Sequence, residues 1–219
     1  MCIRDSLALI ADVVESAPPM LGAQDAHHEA SGAFTGEVSL PMLEDCGVEW
    51  VLVGHSERRH VIGESNDIVR EKLHAALNAG FSVILCTGEL KEERESGRQL
   101  EVNRAQLAHA LEGLPAAALS RLVIAYEPVW AIGTGLTATP EDAQEVHADL
   151  RAALAEHYDQ GVADAVRIQY GGSVKPANAA ELFAKPDVDG FLVGGASLKS
   201  ADFLDIINAV TAAKAEGQA

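Results

Sequence analysis

Three stretches of this sequence carry residue types that could do chemistry. The first runs Ala125-Tyr126-Glu127-Pro128-Val129-Trp130-Ala131-Ile132-Gly133-Thr134-Gly135. An apolar run from Leu122 to Ala125 drives into a carboxylate, then into a loop with almost no charge. Loops are ordinarily polar, so one offering Val129, Trp130 and Ile132 reads as a lid over something. Glu127 beneath it is a candidate general base, because burial in apolar company raises a carboxyl's affinity for protons. The plainer alternative is a carboxylate capping the next turn. The second stretch, Gly54-His55-Ser56-Glu57-Arg58-Arg59, also follows an apolar run. A helix N-terminus disfavours imidazolium, so His55 at the start of a helical turn reads as a neutral ring whose N–H can support a developing oxyanion. The alternative is a structural histidine bonded to backbone. The third is a pair of double-glycine turns, Gly171-Gly172-Ser173 and Gly194-Gly195-Ala196-Ser197. Glycine lets backbone N–H groups approach a phosphate, and a following short helix aims its positive end there. Ordinary turn glycine is the competing reading.

Other clusters carry less. His27-His28-Glu29 has the residue types of a metal site, but adjacent loop side chains converge poorly and no second ligand pair has standard spacing, so no metal is expected. Arg58-Arg59 and the run Lys91 to Glu95 read as ion-paired or solvated faces. Cys86 reads as core packing rather than a nucleophile. The sequence has no G-x-G-x-x-G after its first strand and no G-x-x-x-x-G-K-[ST], which removes support for dinucleotide and P-loop sites.

The elements that must position these groups are strands alternating with helices. Six runs, Met20–Ala23, Trp50–Val53, Phe81–Cys86, Leu122–Tyr126, Val166–Tyr170 and Val188–Val193, are read as near-continuous apolar strands and expected to be covered on both faces in a parallel sheet. Helical spacing is read over Leu7–Ala17, Val38–Cys46, Asn66–Ala79, Glu89–Glu112, Thr139–His157, Ala177–Phe183 and Asp202–Ala213. Thr139 is placed as a cap, with Pro140 in the first helical position and Asp142 reaching back. The class is α/β. Every candidate residue falls just after a strand, where parallel α/β folds build their active sites. With no repeat and no low-complexity linker, residues 7–219 read as one domain. Residues 1–6 fit no element and read as a leader. The chain opens on a helix, whereas a right-handed β-α-β series expects a strand upstream.

Composition narrows the function further. The 219 residues carry a formal charge of −17, which argues against nucleic acid or anionic lipid as partners, since those require a basic footprint. No stretch approaches the roughly 20 apolar residues of a membrane span. Three cysteines, Cys2, Cys46 and Cys86, form no C-x-x-C, and the protein is expected to be reduced and cytoplasmic.

Taken together, the Gly54–Arg59 and Ala125–Gly135 stretches, Tyr170-Gly171-Gly172-Ser173-Val174 and Leu192-Val193-Gly194-Gly195-Ala196-Ser197-Leu198 closely resemble the triosephosphate isomerase family. The resemblance runs from about Leu7 to the C-terminus. It implies a (β/α)8 TIM barrel that interconverts dihydroxyacetone phosphate and D-glyceraldehyde 3-phosphate through an enediolate, without cofactor, in glycolysis and gluconeogenesis. The site roles are those of the family, a worked case of tuned protonation and loop closure. Glu127 would shuttle the proton and a neutral His55 would polarise the carbonyls, with Ser56 and Glu57 beside it. The lid would be about Pro128 to Ala138. Gly133, Ser173, Gly194 and Gly195 would offer N–H groups to the phosphate. The loop Gln24–Glu37 resembles the family's interdigitating dimer loop, with Thr35 reaching toward the active site of the partner in a homodimer.

Two departures qualify the resemblance. Leu136 stands where the family's lid usually has lysine, a local hinge change. The family's opening strand carries Asn-x-Lys, and no Asn-x-Lys occurs here, so the first strand, first helix and second strand read as absent. About six of eight strands are expected, Glu57 would lose its lysine partner, and the chain is expected to fold poorly and isomerise slowly or not at all. The alternatives are a non-catalytic phosphate-binding or dimerising descendant, and another phosphate-binding barrel enzyme.

Overall fold

The computed structural model describes residues 20–132 and 137–216, and these form two compact units. The first takes residues up to 86 with Ala108–Val123. The second takes Thr87–Leu107 with residues from 124 onward.

The first unit runs β1 (Gly22–Ala23), α1 (Leu40–Asp45), β2 (Trp50–Val53), α2 (Asn66–Asn78) and β3 (Ser82–Thr87). Its strands lie in chain order and pair in parallel, Gly22 beside Trp50 and Trp50 beside Ser82. The register puts Val51, Val53, Val83 and Leu85 on one fully buried face. Trp50, Leu52, Ser82 and Ile84 share the other face and are only half-buried. The expectation of strands buried without alternation is therefore corrected for β2: one of its faces carries the core and the other does not. β1 is shorter than the run Met20–Ala23, since Met20 is exposed, its sulfur accepting a hydrogen bond from Trp50 Nε1 at 3.2 Å.

Helix α2 starts where the sequence places it. Ser65 Oγ accepts from Ile68 N–H at 3.3 Å, and Asp67 sits in the positive first turn. Val69, Leu73 and Leu77 are buried as their spacing requires. Lys72, between them, is also buried. Its ammonium bonds both oxygens of Asp25 at 2.8 Å and Glu64 at 2.5 Å, and Arg58 reaches the same two carboxylates at 2.9 and 2.6 Å. Burial pushes the Asp25 carboxyl up despite these cations. Burial also works against ionised Glu64, but the hydrogen bonds from Arg58 and Lys72 outweigh it and hold that carboxyl low. The network pins the start of the loop after β1 to α2.

The second unit holds α3 (Lys91–Glu95), most of α4 (Gln99–Leu111), the end of β4 (Leu122–Tyr126), α5 (Pro140–His157), α6 (Gln160–Ala165), β5 (Arg167–Tyr170), α7 (Pro176–Phe183), β6 (Gly190–Phe191) and α8 (Ser200–Glu216). Its strands again lie in chain order, with β5 and β6 parallel. Among the described strands, β4 alone is buried along its whole length. β5 alternates, with Ile168 and Tyr170 fully buried between the more accessible Arg167 and Gln169, so the expectation of a strand buried on both faces is corrected here too. The span Glu89–Glu112 is two helices rather than one, because Gly97 takes a left-handed φ of 71° and Ser96 Oγ bonds back to Glu93 O. α6 went unread in the sequence: its six residues include Gly161 and show no apolar period. It forms because Asp159 caps it, accepting from Val162 N–H at 2.8 Å. The run Val188–Val193 pairs only at Gly190–Phe191. No helix among the described residues is long and apolar enough to cross a membrane.

Candidate active site

Glu127 lies just past β4 and is buried, with 2% of its surface exposed. Its placement is set by backbone contacts on both sides. Glu127 N–H donates to Thr87 O at 2.7 Å, and Gly171 N–H donates to Tyr126 O at 2.7 Å. Two glycines leave the necessary room. A Cβ on Gly88 would stand 1.9 Å from Glu127 O, and one on Gly171 would stand 2.9 Å from Glu127 Cγ. A Cβ on Gly172 would lie 2.2 Å from Tyr170 Oη and 3.0 Å from Pro128 Cγ. The glycines at 171 and 172 thus have a packing cause of their own. Burial pushes the Tyr170 phenol up, and its buried hydroxyl has no hydrogen-bond partner among the described residues.

Beneath Glu127 lies a second carboxylate that the sequence reading missed. Glu89 is fully buried. Its Oε1 accepts from Tyr126 Oη at 2.9 Å and from Trp130 Nε1 at 2.7 Å, and its Oε2 accepts from Asn103 Nδ2 at 3.0 Å. Glu89 O takes Val129 N–H at 3.2 Å. Burial, and then the neighbouring Glu89 charge, push the Tyr126 phenol well above its ordinary value, so it stays a donor. The start of the apolar loop is therefore anchored from below. Arg94 adds a clamp at its far side, with its guanidinium 5.8 Å over the Trp130 ring and hydrogen-bonded to Asp142. Asp142 belongs to the capping box of α5. The one signal in the sequence was a lone acid two residues past β3, which a charged neighbourhood concealed.

His55, Ser56 and Glu57 lie in the first unit, directly after β2. Ser56 is buried, His55 half-buried and Glu57 exposed. A helical turn starts at Ser56, and His55 O accepts from Arg58 and Arg59 N–H at 2.8 and 3.1 Å. Glu57 N–H donates to His55 Nδ1 at 3.2 Å. That bond uses the Nδ1 lone pair and leaves Nε2 as the ring's donor. Arg58 is ion-paired, as its sequence suggested. Arg59 is instead a brace: it donates to Gly54 O at 2.7 Å, Cys86 O at 3.1 Å and Asn66 Oδ1 at 2.7 Å. It thereby ties the residue before His55 to the end of β3. Gly54 admits it through a φ of 73° that other residues rarely adopt.

The remaining candidates lie in the second unit. Ser173 O accepts from Asn178 Nδ2 at 3.0 Å, fixing the turn into α7. Gly194 and Gly195 are exposed, and a Cβ on either would meet open space, so packing does not account for them. Gly194 O takes both N–H and Oγ–H of Ser197. Gly133 and Leu136 lie outside the described residues.

Comparison with known proteins fits this arrangement of strand-end residues. The sequence model of the triosephosphate isomerase family matches residues 4–210. The chain belongs to the triosephosphate isomerase family. The triosephosphate isomerase of Herpetosiphon aurantiacus is 55% identical over 201 residues, which cover 92% of this chain and 80% of that protein. That of Chloroflexus aurantiacus is 55% identical over 203 residues, 93% and 81% of the two chains. That of Taenia solium is 56% identical over 190 residues, 86% and 76%. The fold class is accordingly the α/β TIM barrel of the triosephosphate isomerase family, to which parallel strands alternating with helices conform.

Proposed function

We propose that the chain is a cofactor-free isomerase of triose phosphates, with Glu127 moving a proton between the two carbons that exchange the carbonyl. Glu127 takes the proton from the carbon beside the ketone, the electron pair passes into the carbonyl, and an enediolate results. His55 Nε2–H donates to the oxygen on which charge develops, a stabilisation that grows toward the transition state. Glu127 then returns the proton to the neighbouring carbon while the hydroxyl proton of the first carbon passes to the oxygen of the second, so the carbonyl changes place and no net proton is taken up. Ser173, Gly194, Gly195 and Gly133 hold the phosphate through backbone N–H groups, and Ser56 and Glu57 set the turn that holds His55. The observation that carries the reading is Glu127, a buried acid at a strand end whose backbone is fixed on both sides.

Two further parts belong to this proposal. The chain pairs with a second copy through the loop Gln24–Glu37, supported by the exposure of Thr35 and Phe34 there. Its location is cytoplasmic. A monomer mass in sedimentation at micromolar concentration would refute the pairing.

Turnover of dihydroxyacetone phosphate in a coupled assay is the direct test. Glu127→Gln should lower kcat by about 10²–10⁴-fold, the usual worth of a positioned acid–base group, with KM little changed. Parent-like activity in that variant would remove Glu127 from its role. Tight binding of a phosphate-bearing transition-state analogue without turnover would replace the enzyme by a phosphate-binding descendant.

A further inference from the structure

We infer that Gln106 positions the catalytic base, acting through Gly88. The inference rests on the reading of Glu127 as the base.

Gln106 is half-buried on α4, and its amide takes both backbone groups of Gly88. Gly88 N–H donates to Oε1 at 2.9 Å, and Nε2 donates to Gly88 O at 3.0 Å. One planar amide thus fixes a glycine at two points, as a neighbouring strand would. Gly88 is the first residue past β3 and buried, and glycine has the widest backbone freedom of any residue. It is also the surface on which Glu127 rests, since the Glu127 carbonyl occupies the place a Cβ would take. The residues on either side complete the contact: Thr87 O holds Glu127 N–H and Glu89 O holds Val129 N–H. The backbone around Glu127 therefore follows the segment Thr87–Glu89, and Gln106 sets the middle of that segment.

The consequence is kinetic. A misplacement of about 1 Å at a reacting group costs about 10²-fold in rate. An interaction that matters only for base geometry shows in kcat and spares KM.

Gln106→Met keeps the length and volume of the side chain and removes both bonds. It should lower kcat at least about tenfold while KM stays within about twofold, with a folded circular dichroism spectrum. Gln106→Glu supplies a carboxyl that offers only acceptors when ionised but both an acceptor and a donor when protonated. The ratio of its kcat to the parent's should therefore rise as pH falls through the pKa of the introduced carboxyl. Parent-like kcat in folded Gln106→Met overturns the inference, as does a kcat ratio for Gln106→Glu that is flat with pH. If Gln106→Met does not fold, the pH ratio decides alone. Glu127→Gln measured alongside separates the two readings. An unimpaired Glu127→Gln removes the base assignment and this inference with it. An impaired Glu127→Gln beside unimpaired Gln106 variants removes this inference alone.

Discussion

At the scale of single residues, buried polar groups decide how this protein responds to pH. His147 is fully buried on α5, and its Nδ1–H donates to Asp187 O at 3.0 Å. Its Nε2 is buried without a hydrogen-bond partner among the described residues. Burial lowers its pKa from 6.5 to about 4, against the Asp187 carbonyl and the Asp189 and Asp187 charges that favour a proton, with Arg151 opposing it. Above pH 6.5 folded and unfolded chains both hold a neutral ring. Between 6.5 and 4 the unfolded chain takes up a proton that the folded chain refuses. Stability therefore falls as pH drops through this window, by up to about 3 kcal/mol from this group. His147→Gln keeps a donor without the titration, and should flatten the dependence of urea stability on pH between 6.5 and 4. An unchanged slope would show that other groups carry it. Glu89 belongs to the same scale. Its three donors make it an anchor, yet nothing in its neighbours along the chain marks it, because Tyr126, Trp130 and Asn103 reach it only in space.

At the scale of elements, the chain's local rules hold where a loop hands over to a helix. Thr139 Oγ1 accepts from Asp142 N–H at 3.1 Å, and Asp142 Oδ2 accepts from Thr139 N–H at 2.9 Å, with Pro140 in the first position. This box was legible because it depends on residues three apart. Thr139→Ala should cost about 1 kcal/mol in urea unfolding, and a loss under about 0.3 kcal/mol would mean that the Arg94 clamp on Asp142 holds the helix start unaided. The end of α5 was not legible in the same way. Arg151 there donates to Asp187 at 2.6 Å, Asp189 at 2.8 Å, Ala163 O at 2.7 Å and Val166 O at 3.1 Å. Asp189 in turn takes Ile168 N–H at 2.7 Å. One arginine thus fixes where β5 begins, a task that the apolar run Val166–Tyr170 could not reveal.

At the scale of the whole molecule, charge is the dominant feature. A formal −17 over 219 residues means that the folded chain works against its own repulsion. Raising sodium chloride from 10 to about 300 mM shortens the screening length from about 30 Å to below 10 Å. The thermal midpoint should rise with it, by roughly 2–4 °C for each 1 kcal/mol of repulsion relieved. A midpoint that falls instead would mean that ion pairs such as Arg104 with Asp149 and Glu156 outweigh the repulsion.

Sequence alone was enough for the alternation of strands and helices, the cap at Thr139, and the strand-end positions of His55, Glu127, Ser173, Gly194 and Gly195. These follow from apolar runs, short-range hydrogen bonding and glycine chemistry, all of which act within a few residues. Only the tertiary structure decided which nitrogen of His55 is left as the donor, that Gly88 must be glycine, and that Glu89, Gln106, Lys72 and Arg59 brace the strand ends. Each depends on atoms brought together from distant parts of the chain. A buried polar group is stable only when such partners meet it, and sequence spacing does not record where they come from.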